Sequence, residues 1–498
     1  MNNMFTALLA AAYSVTPKNP VFGETGAWIV TDTGAVVSSG WTVSGFIDDG
    51  EQGAYRLHVF SNGMAYDYIK GSGHTCVSNG GVVSGLRVTA LTPYHTEVLS
   101  GGTLYGVTLS VADMTGEHPL LTVSNGGVAS GIYDSNATAV SNCHLYVYDG
   151  GRLYDVHMRT PNPVTVSSGG YLSGAEMTGT AKLNLYNGGY AENIKATSVT
   201  TDNSLLIYSG ASAANMNFSS ASLYVQGGVV SNLRFQDNTL YISSRGSACG
   251  ISTVNAALNF NSAYISGWTM LRLKNGGTAP KPYKAVISDF VFSVTVPSAS
   301  YTIQLQGGCQ LYHGSICEGI RMSGGFGQNG CMENVVIGAS KMDEGFASAA
   351  VSLTSSLTSG RYVASGITLL SGGSLIIQSG HSAKDITLSG GYLQLTNGGT
   401  LLQDVTMVEG TVRLWNSATG SNLIISGGTV ELKSSGAYYT DITIYSGGYV
   451  VLDAPKVIVS NVVVGSGGSL LVKINNSALH VVSNAGATVT GAGYIEYA

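Results

Sequence analysis

A glycine recurs about every 19 residues in the last third of the chain, and a short apolar pattern follows it each time. The second and fourth residues after the glycine are aliphatic, as in "GYLQL" and "GTVEL". Alternation of period two over a short run predicts a half-buried β-strand. The glycines that define this repeat are Gly373, Gly391, Gly410, Gly428, Gly448 and Gly468.

A second position repeats with the same period and is occupied almost entirely by Gly, Asn or Asp. These residue types adopt a positive φ most readily, so we expect one left-handed backbone position in every turn of the repeat. In the regular C-terminal part the occupants are Asp385, Asp404, Asn422, Asp441 and Asn461. Earlier candidates are Gly85, Gly106, Gly131, Asp155, Gly174, Asn193, Asn215, Asn232, Asp289, Gly319, Asn334 and Gly366.

A unit of about 19 residues cannot bury its own apolar face, so it has to stack on copies of itself. The sequence predicts an all-β fold, a single-stranded right-handed parallel β-helix (β-solenoid) of about 20 coils with about 19 residues per coil. Leu393, Val412, Val430 and Val450 should then form one inward column. An antiparallel sandwich or a propeller is the alternative, but a propeller blade needs about 40 residues.

The regularity of the repeat changes along the chain and suggests four parts. Residues 1–40 are interpreted as an N-terminal cap and first coil, because their apolar run lacks the preceding Lys or Arg of a signal peptide. Residues 41–235 are interpreted as solenoid with loop insertions, 236–350 as an irregular solenoid segment with insertions, and 351–498 as regular solenoid and the C-terminal end. If the chain has a ligand site, the loops of 236–350 and those near the N-terminus are where it would lie.

Composition narrows the classes of partner. Charged residues make up 10% of the chain and the net charge is −6, which argues against nucleic acid and anionic membranes as partners. The only cationic cluster, interpreted as a solvated loop, is Arg272, Lys274, Lys281 and Lys284. No apolar stretch reaches the roughly 18 residues that a membrane-spanning helix requires, so no membrane insertion by this chain is predicted.

The six cysteines contain no C-x-x-C pair, so a zinc or redox motif is not indicated. Cys309 and Cys331 are separated by little more than one repeat, and a disulfide between them is one alternative. Buried free thiols are the preferred interpretation.

Catalytic motifs are not found, and the sequence predicts no catalytic, cofactor-binding or metal-binding residue. The densest acidic group is Asp48, Asp49 and Glu51, with Asp67 about one coil later. Stacked carboxylates of this kind could form a glycosidase pair or bind a cation, but a solvated acidic turn is preferred. Tyr66 and Tyr68 beside them could offer a sugar-stacking face.

Two further sets of side chains are candidates for chemistry. Asp385, Asp404 and Asp441 share their column with Asn and Gly, so turn geometry explains them better than catalysis. His144 and His157 are separated by less than one coil and need not share a face.

The pattern resembles the stalk (passenger) repeats of AIDA-type autotransporter adhesins. The resemblance rests on "SGGYLQLTNGGTLLQDVTMVEGT", "SGGTVELKSSGAYYTDITIYSGGYVV" and "VSSGGYLSGAEMTGTAKLNLYNGGYAENIKA", and it covers most of 75–235 and 360–475. It implies a right-handed β-helical passenger at a bacterial surface, with a role in adhesion, self-association or biofilm formation. It also implies that Ser or Thr residues could carry O-linked sugars.

The leading functional hypothesis is a non-catalytic surface or secreted adhesin without a cofactor. Its partners would be other copies of itself, or glycans or proteins of a host or bacterial surface, bound through many weak lateral contacts. The first alternative is a phage tailspike-like or carbohydrate-active β-helix protein, located in a virion in the former case. The second is a structural subunit of an extracellular assembly.

Overall fold

The computed structural model is all-β. It describes residues 21–22, 29–31, 34–38, 40–44, 47–48, 56–70, 73–88, 94–109, 114–134, 141–159, 163–200, 204–272, 282–294, 301–317, 319–324, 330–338, 349–353, 362–378, 381–396, 401–415, 418–433 and 435–498. Within these ranges no helix occurs, and the strands form a parallel β-solenoid of about 19 turns spaced about 19 residues apart. The predicted fold class is confirmed. The chain divides into two compact units, Met1–Ser247 and Ala248–Ala498.

The first unit contains strands of two sheets that alternate along the chain. The strands are β1 (Val21–Phe22), β2 (Ile29–Thr31), β3 (Gly34–Val37), β4 (Thr42–Ser44), β5 (Ile47–Asp48), β6 (Arg56–Val59), β7 (Met64–Tyr66), β8 (Ile69–Lys70), β9 (Gly73–Val77), β10 (Val82–Ser84), β11 (Arg87–Val88), β12 (Tyr94–Val98), β13 (Thr103–Leu109), β14 (Met114–Val123), β15 (Val128–Asp134), β16 (Ser141–Val147), β17 (Arg152–Met158), β18 (Pro163–Val166), β19 (Tyr171–Gly179), β20 (Lys182–Leu185), β21 (Tyr190–Val199), β22 (Leu205–Tyr208), β23 (Ser212–Ser219), β24 (Leu223–Gln226), β25 (Val229–Gln236) and β26 (Thr239–Ser243).

In the second unit every described strand except β28 belongs to the larger of the two sheets. The strands are β27 (Ser247–Val254), whose first residue belongs to the first unit, β28 (Ala257–Asn261), β29 (Tyr264–Arg272), β30 (Val286–Ser288), β31 (Val291–Val294), β32 (Tyr301–Leu305), β33 (Gln310–Ile316), β34 (Ile320–Gly324), β35 (Cys331–Ile337), β36 (Ala349–Leu353), β37 (Tyr362–Leu370), β38 (Gly373–Gln378), β39 (Ser382–Thr396), β40 (Leu401–Trp415), β41 (Thr419–Ile425), β42 (Gly428–Lys433), β43 (Tyr438–Ile444), β44 (Gly448–Leu452), β45 (Ile458–Val464), β46 (Ser469–Val472), β47 (Ser477–Ser483), β48 (Thr488–Thr490) and β49 (Tyr494–Tyr497).

One coil of the first unit shows how the sequence dictates the path. In β20, Leu183 and Leu185 point inward and are fully buried. The chain turns through two glycines and enters β21, where Ala191 is buried, Asn193 has φ 57° and Ile194 is buried again. The left-handed residue bends the strand without ending it, so both halves of β21 contribute inward side chains to one core.

The predicted inward column is confirmed in the second unit. Leu393 pairs with Val412, Val412 with Val430, and Val430 with Val450, in parallel register. All four side chains are at most 1% exposed. Since stacked coils are about 4.8 Å apart, each of these side chains contacts its equivalent in the neighbouring coils.

The predicted left-handed column is also confirmed, with one correction. Every Gly, Asn and Asp assigned to it has a positive φ between 51° and 75°. Gly319, however, precedes β34 and lies outside the column. The register of β33 with β35 places Tyr312 opposite Glu333, so His313, with φ 49°, is the residue next to Asn334. Histidine also adopts this conformation more often than most residue types, so a rule restricted to Gly, Asn and Asp was too narrow.

The paired glycines serve two different physical needs. In the turn after β14, Gly126 has φ 78° and a Cβ there would meet nothing within 4 Å. A Cβ on Gly127 would lie 2.2 Å from the carbonyl oxygen of Val98 in the previous coil. The first glycine is therefore required by conformation and the second by the close approach of two backbones.

Several sequence interpretations fall on residues outside the described ranges. They concern residues 1–20 of the proposed cap, Asp49 and Glu51 of the acidic group, and Lys274 and Lys281 of the cationic cluster. The part boundaries at 40, 235 and 350 stay predictions.

Candidate binding surface

The outward side of the smaller sheet of the first unit carries two stacked tyrosine pairs and a histidine cluster. We call it the outer face, formed by β6, β9, β12, β14, β16, β18, β20, β22, β24 and β26. Period-two alternation places aliphatic residues such as Leu183 inside, while the intervening residues point to solvent. In a solenoid, each outward position becomes a row that runs from coil to coil.

Two stacked pairs of tyrosines lie on the outer face. The rings of Tyr186 and Tyr208 are 4.7 Å apart with an interplanar angle of 4°. Those of Tyr224 and Tyr241, which pair in register on β24 and β26, are 4.3 Å apart at 11°. Burial raises the pKa of the Tyr208 phenol, and Tyr186 raises it further. Adjacent coils hold these rings parallel, so the pairs form flat, rigid aromatic patches.

A third tyrosine row lies on the other sheet of the first unit. Tyr171 stacks on Tyr190 at 5.7 Å, and Tyr154 contacts Tyr171 edge-on at 5.7 Å. The hydroxyls of Tyr171 and Tyr190 donate to the two carboxylate oxygens of Glu192, at 2.5 and 3.1 Å. The hydrogen bond to Glu192 raises the pKa of Tyr171, and burial raises that of Tyr190. Both phenols therefore stay neutral and fixed at ordinary pH.

A mixed row follows the left-handed column on the same sheet. Tyr133 stacks on the imidazole of His157 at 4.6 Å, with 10° between the planes. His157 Nδ1 lies 3.3 Å from Glu176 Oε2, and Lys195 Nζ lies 3.3 Å from Glu176 Oε1. The side chains of His157, Glu176 and Lys195 are 43–59% exposed, so the row presents ionisable and aromatic groups together on the surface.

A histidine cluster occupies the N-terminal part of the outer face. His74 on β9 pairs in register with His95 on β12, and Glu97 is two residues further along the same side. His74 Nε2 lies 3.4 Å from Glu97 Oε2, and His95 Nδ1 lies 3.6 Å from Glu97 Oε1. His95 Nε2 is 2.7 Å from the Thr122 hydroxyl on β14. Cys76 is in register with Glu97; burial raises its thiol pKa, and the charge of Glu97 adds to the effect.

The exposed surface of the second unit is of a different kind. Arg413 Nε and Lys433 Nζ lie 2.8 and 3.0 Å from the same oxygen of Glu431, and Lys433 and Lys473 both pair with Asp453. Burial alone would raise the pKa of Glu431, but hydrogen bonds from Lys433 and Arg413 lower it below its ordinary value. The hydrogen bond from Lys473 is the main cause of a lowered pKa at Asp453. We call this chain of alternating charges the ion network.

The acidic and aromatic candidates from the sequence separate in the structure. Asp67 has φ 51° and occupies the left-handed column, which gives it a conformational role. Tyr68 is 1% exposed and belongs to the core, so it cannot stack on a sugar, whereas Tyr66 is half-buried. Asp48 lies in β5, and only its backbone is described.

The file of aspartates in the second unit also has a structural explanation. Asp385, Asp404 and Asp441 all have positive φ. The amide of Asn422 donates to Asp404 at 2.7 Å, and that of Asn461 donates to Asp441 at 3.0 Å. Turn conformation and hydrogen bonds between coils thus account for these carboxylates, as the sequence indicated.

The two cysteines considered for a disulfide, Cys309 and Cys331, are both buried thiols, and no bridge joins them. The Cys309 thiol donates to carbonyl oxygens at 3.2 Å, and burial raises its pKa. In the cationic cluster, Lys284 Nζ lies 5.2 Å from the centroid of the Tyr283 ring.

The histidine cluster was missed from the sequence, although a signal was present. His74 and His95 are separated by about one coil, whereas His144 and His157 are separated by less. The coil spacing, applied to every histidine, would have brought His74 and His95 together.

The fold places the chain in the class of parallel β-solenoids. A search against protein-family descriptions gave no match, and none was found among curated proteins. Among solved structures, the chain is similar to the crystal structure of a TibC-catalysed, hyper-glycosylated fragment (residues 55–350) of TibA. The identity is 18%, the alignment covers 74% of this chain and 94% of that one, and the TM-score is 0.35. The described residues form no helix that could span a membrane.

Proposed function

We propose that this chain is a non-catalytic adhesive protein of the bacterial surface or extracellular space. It binds through repeated rows of side chains on its lateral surface rather than through a single pocket. The stacked tyrosine pairs of the outer face are the observation that supports this function most directly.

The tyrosine pairs are suited to binding because their rings are held rigidly and are at least partly exposed. Tyr186 is 41% exposed although its ring is held against Tyr208. A tyrosine fixed in this way presents a large amphipathic area and loses little conformational entropy when a partner binds.

Surface glycans fit this chemistry best. The apolar C–H face of a sugar ring packs against a flat aromatic ring, while its hydroxyls bind neighbouring Ser, Thr, Asn and Tyr side chains. The chain has few charges, 10% of its residues, so it has little means to attract charged ligands over a distance. Each contact is weak, and affinity comes from several sugar units bound at once along the rows.

Self-association is the second mode of adhesion that we propose. A surface with few charges repels its own copies weakly, and exposed tyrosine rows on two copies can pack on each other. O-linked sugars on exposed Ser or Thr residues would reduce this association by covering the rows.

A glycan panel tests the proposal. Full-length protein is applied to immobilised bacterial and host polysaccharides, and the same mixtures are examined for new reducing ends. We expect binding without cleavage, and at least about a 10-fold loss of affinity in the Tyr224→Ala/Tyr241→Ala double variant.

Two results would contradict the proposal. Release of reducing ends would support a carbohydrate-active enzyme instead. Absence of binding to any glycan, together with a monomeric state at high concentration by analytical ultracentrifugation, would exclude both modes of adhesion. Tyr445→Ala, which removes a 51% exposed tyrosine from the second unit, is the matched control and should bind as the wild type.

A further inference from the structure

We infer that His74, His95 and Glu97 form a binding site for a divalent transition-metal ion such as Zn²⁺. This site is independent of the proposed adhesion and goes beyond it. Strand register, donor distances, the partner of His95 and the chemistry of the three donors support it.

The fold brings the three residues together from two coils. β9 and β12 are adjacent parallel strands, and His95 lies directly opposite His74. Glu97 follows His95 by two positions and therefore projects from the same side of the sheet. Three donors about 5–8 Å apart at their Cα atoms can converge on one point above the sheet.

The donor atoms are already close to metal-ligand spacing. One ligand atom from each residue lies within 4.8 Å of the other two. In tetrahedral zinc sites the bonds are about 2.0–2.2 Å, which places neighbouring ligand atoms about 3.4 Å apart. His74 Nε2 lies 3.4 Å from Oε2 of Glu97 and His95 Nδ1 lies 3.6 Å from Oε1, so each imidazole is near this spacing from one of the two carboxylate oxygens. The two imidazoles meet edge to face, at 81°, so their planes do not block each other.

Thr122 provides the second interaction that zinc-binding histidines commonly have. His95 directs Nδ1 to Glu97 and Nε2 to the Thr122 hydroxyl, at 2.7 Å. A metal-bound histidine normally donates its other N–H to an oxygen, which fixes the ring and its tautomer. Thr122 is 5% exposed, so this oxygen is held in place.

The donor set selects the class of ion. Two imidazoles and one carboxylate suit Zn²⁺ and its neighbours in the first transition series, whereas Ca²⁺ and Mg²⁺ prefer oxygen donors alone. The side chains are 31%, 26% and 31% exposed, so an ion can enter from solvent. Water or a group from a partner would complete the coordination.

The His157–Glu176 pair of the first unit provides a matched control. It has one imidazole 3.3 Å from a carboxylate, as the cluster does, but Lys195 occupies the other carboxylate oxygen at 3.3 Å. A cation in that position opposes metal binding. Loss of His157 should therefore leave the metal affinity unchanged.

The test is a zinc titration of chelator-treated, full-length protein by calorimetry. We expect one saturable site that is lost in His74→Gln, His95→Gln and Glu97→Gln and kept in His157→Gln. Thr122→Val should weaken zinc binding about 10- to 100-fold. Binding that is absent in the wild type, unchanged in the three ligand variants, or lost equally in His157→Gln would overturn the inference.

A ligand variant that does not keep the wild-type circular dichroism spectrum could lose zinc binding because it misfolds. A measurement on the wild type tests the site without any substitution. Co²⁺ is added as a paramagnetic substitute, and proton NMR is recorded. Strongly shifted ring C–H signals from two imidazoles are expected, because two histidines bind the ion. Their absence from a Co²⁺-saturated sample would contradict the site.

Discussion

The two units have the same interior but different exteriors. Inside, both stack aliphatic side chains in register, as Leu183 does on Leu205 in the first unit and Val412 on Val430 in the second. Outside, the first unit carries the tyrosine pairs and the histidine cluster, whereas the second carries the ion network. In a solenoid the inward and outward side chains can vary independently, because alternate residues of a strand face opposite sides. The inward rows maintain the fold, and the outward rows are free to differ.

Substitution of the paired glycines should cause the largest loss of unfolding free energy. Gly127→Ala should destabilise the first unit by more than about 4 kcal/mol, at the extreme for a single substitution, because its Cβ would meet the Val98 carbonyl oxygen at 2.2 Å. Gly126→Ala has open space and should cost only the left-handed strain, about 1–2 kcal/mol. Denaturant unfolding measures both. Equal losses would show that conformation alone explains the pair.

The next effect concerns the inward columns of the second unit. Leu414 is fully buried and stacked between Leu395 and Leu432. Leu414→Ala should therefore lower the unfolding free energy by about 2–5 kcal/mol. Val408→Ala, at a side chain that is 57% exposed, should change it by less than about 0.5 kcal/mol. Similar losses at both sites would mean that the interior and exterior are not decoupled.

The ion network should make the smallest contribution to the free energy of unfolding. Glu431 and Asp453 have folded-state pKa values below their ordinary ones, so their contribution is present above about pH 4.3 and lost as the pH falls through the folded values. Between about pH 7 and pH 3 the wild type should lose slightly more stability than Glu431→Gln. The difference should be below about 1 kcal/mol because these groups are partly exposed, and it should shrink in high salt.

The control for this pH dependence is Glu409→Gln, at an exposed glutamate of β40. It should follow the wild-type profile. A profile of Glu431→Gln that coincides with both would remove the ion network as a source of stability in the second unit.

The sequence was sufficient to predict the interior because two simple rules govern it. Alternating aliphatic residues identified the column through Leu393 and Val412, and the preference of Gly, Asn and Asp for positive φ identified the turns. His313 lies outside the second rule because histidine also tolerates a positive φ, although it is neither Gly, Asn nor Asp.

The outward surface was harder to predict because it depends on register between coils of unequal length. The pairing of His74 with His95 requires the length of the intervening coil, which the glycine spacing gives only approximately. The buried Trp268, whose indole N–H donates to Thr253 at 3.0 Å, was missed for a similar reason. Neither the histidine cluster nor Trp268 belongs to the alternating aliphatic pattern from which the repeat is recognised.

Under the proposed function, adhesion belongs to the outer face of the first unit, and the interior only supports that face. Binding of full-length protein to its strongest glycan should be compared between Tyr186→Ala/Tyr208→Ala and Tyr445→Ala by surface plasmon resonance. We predict at least about a 10-fold loss for the double variant and none for the single one, with wild-type circular dichroism spectra for both. Equal affinities in the two variants would contradict the claim.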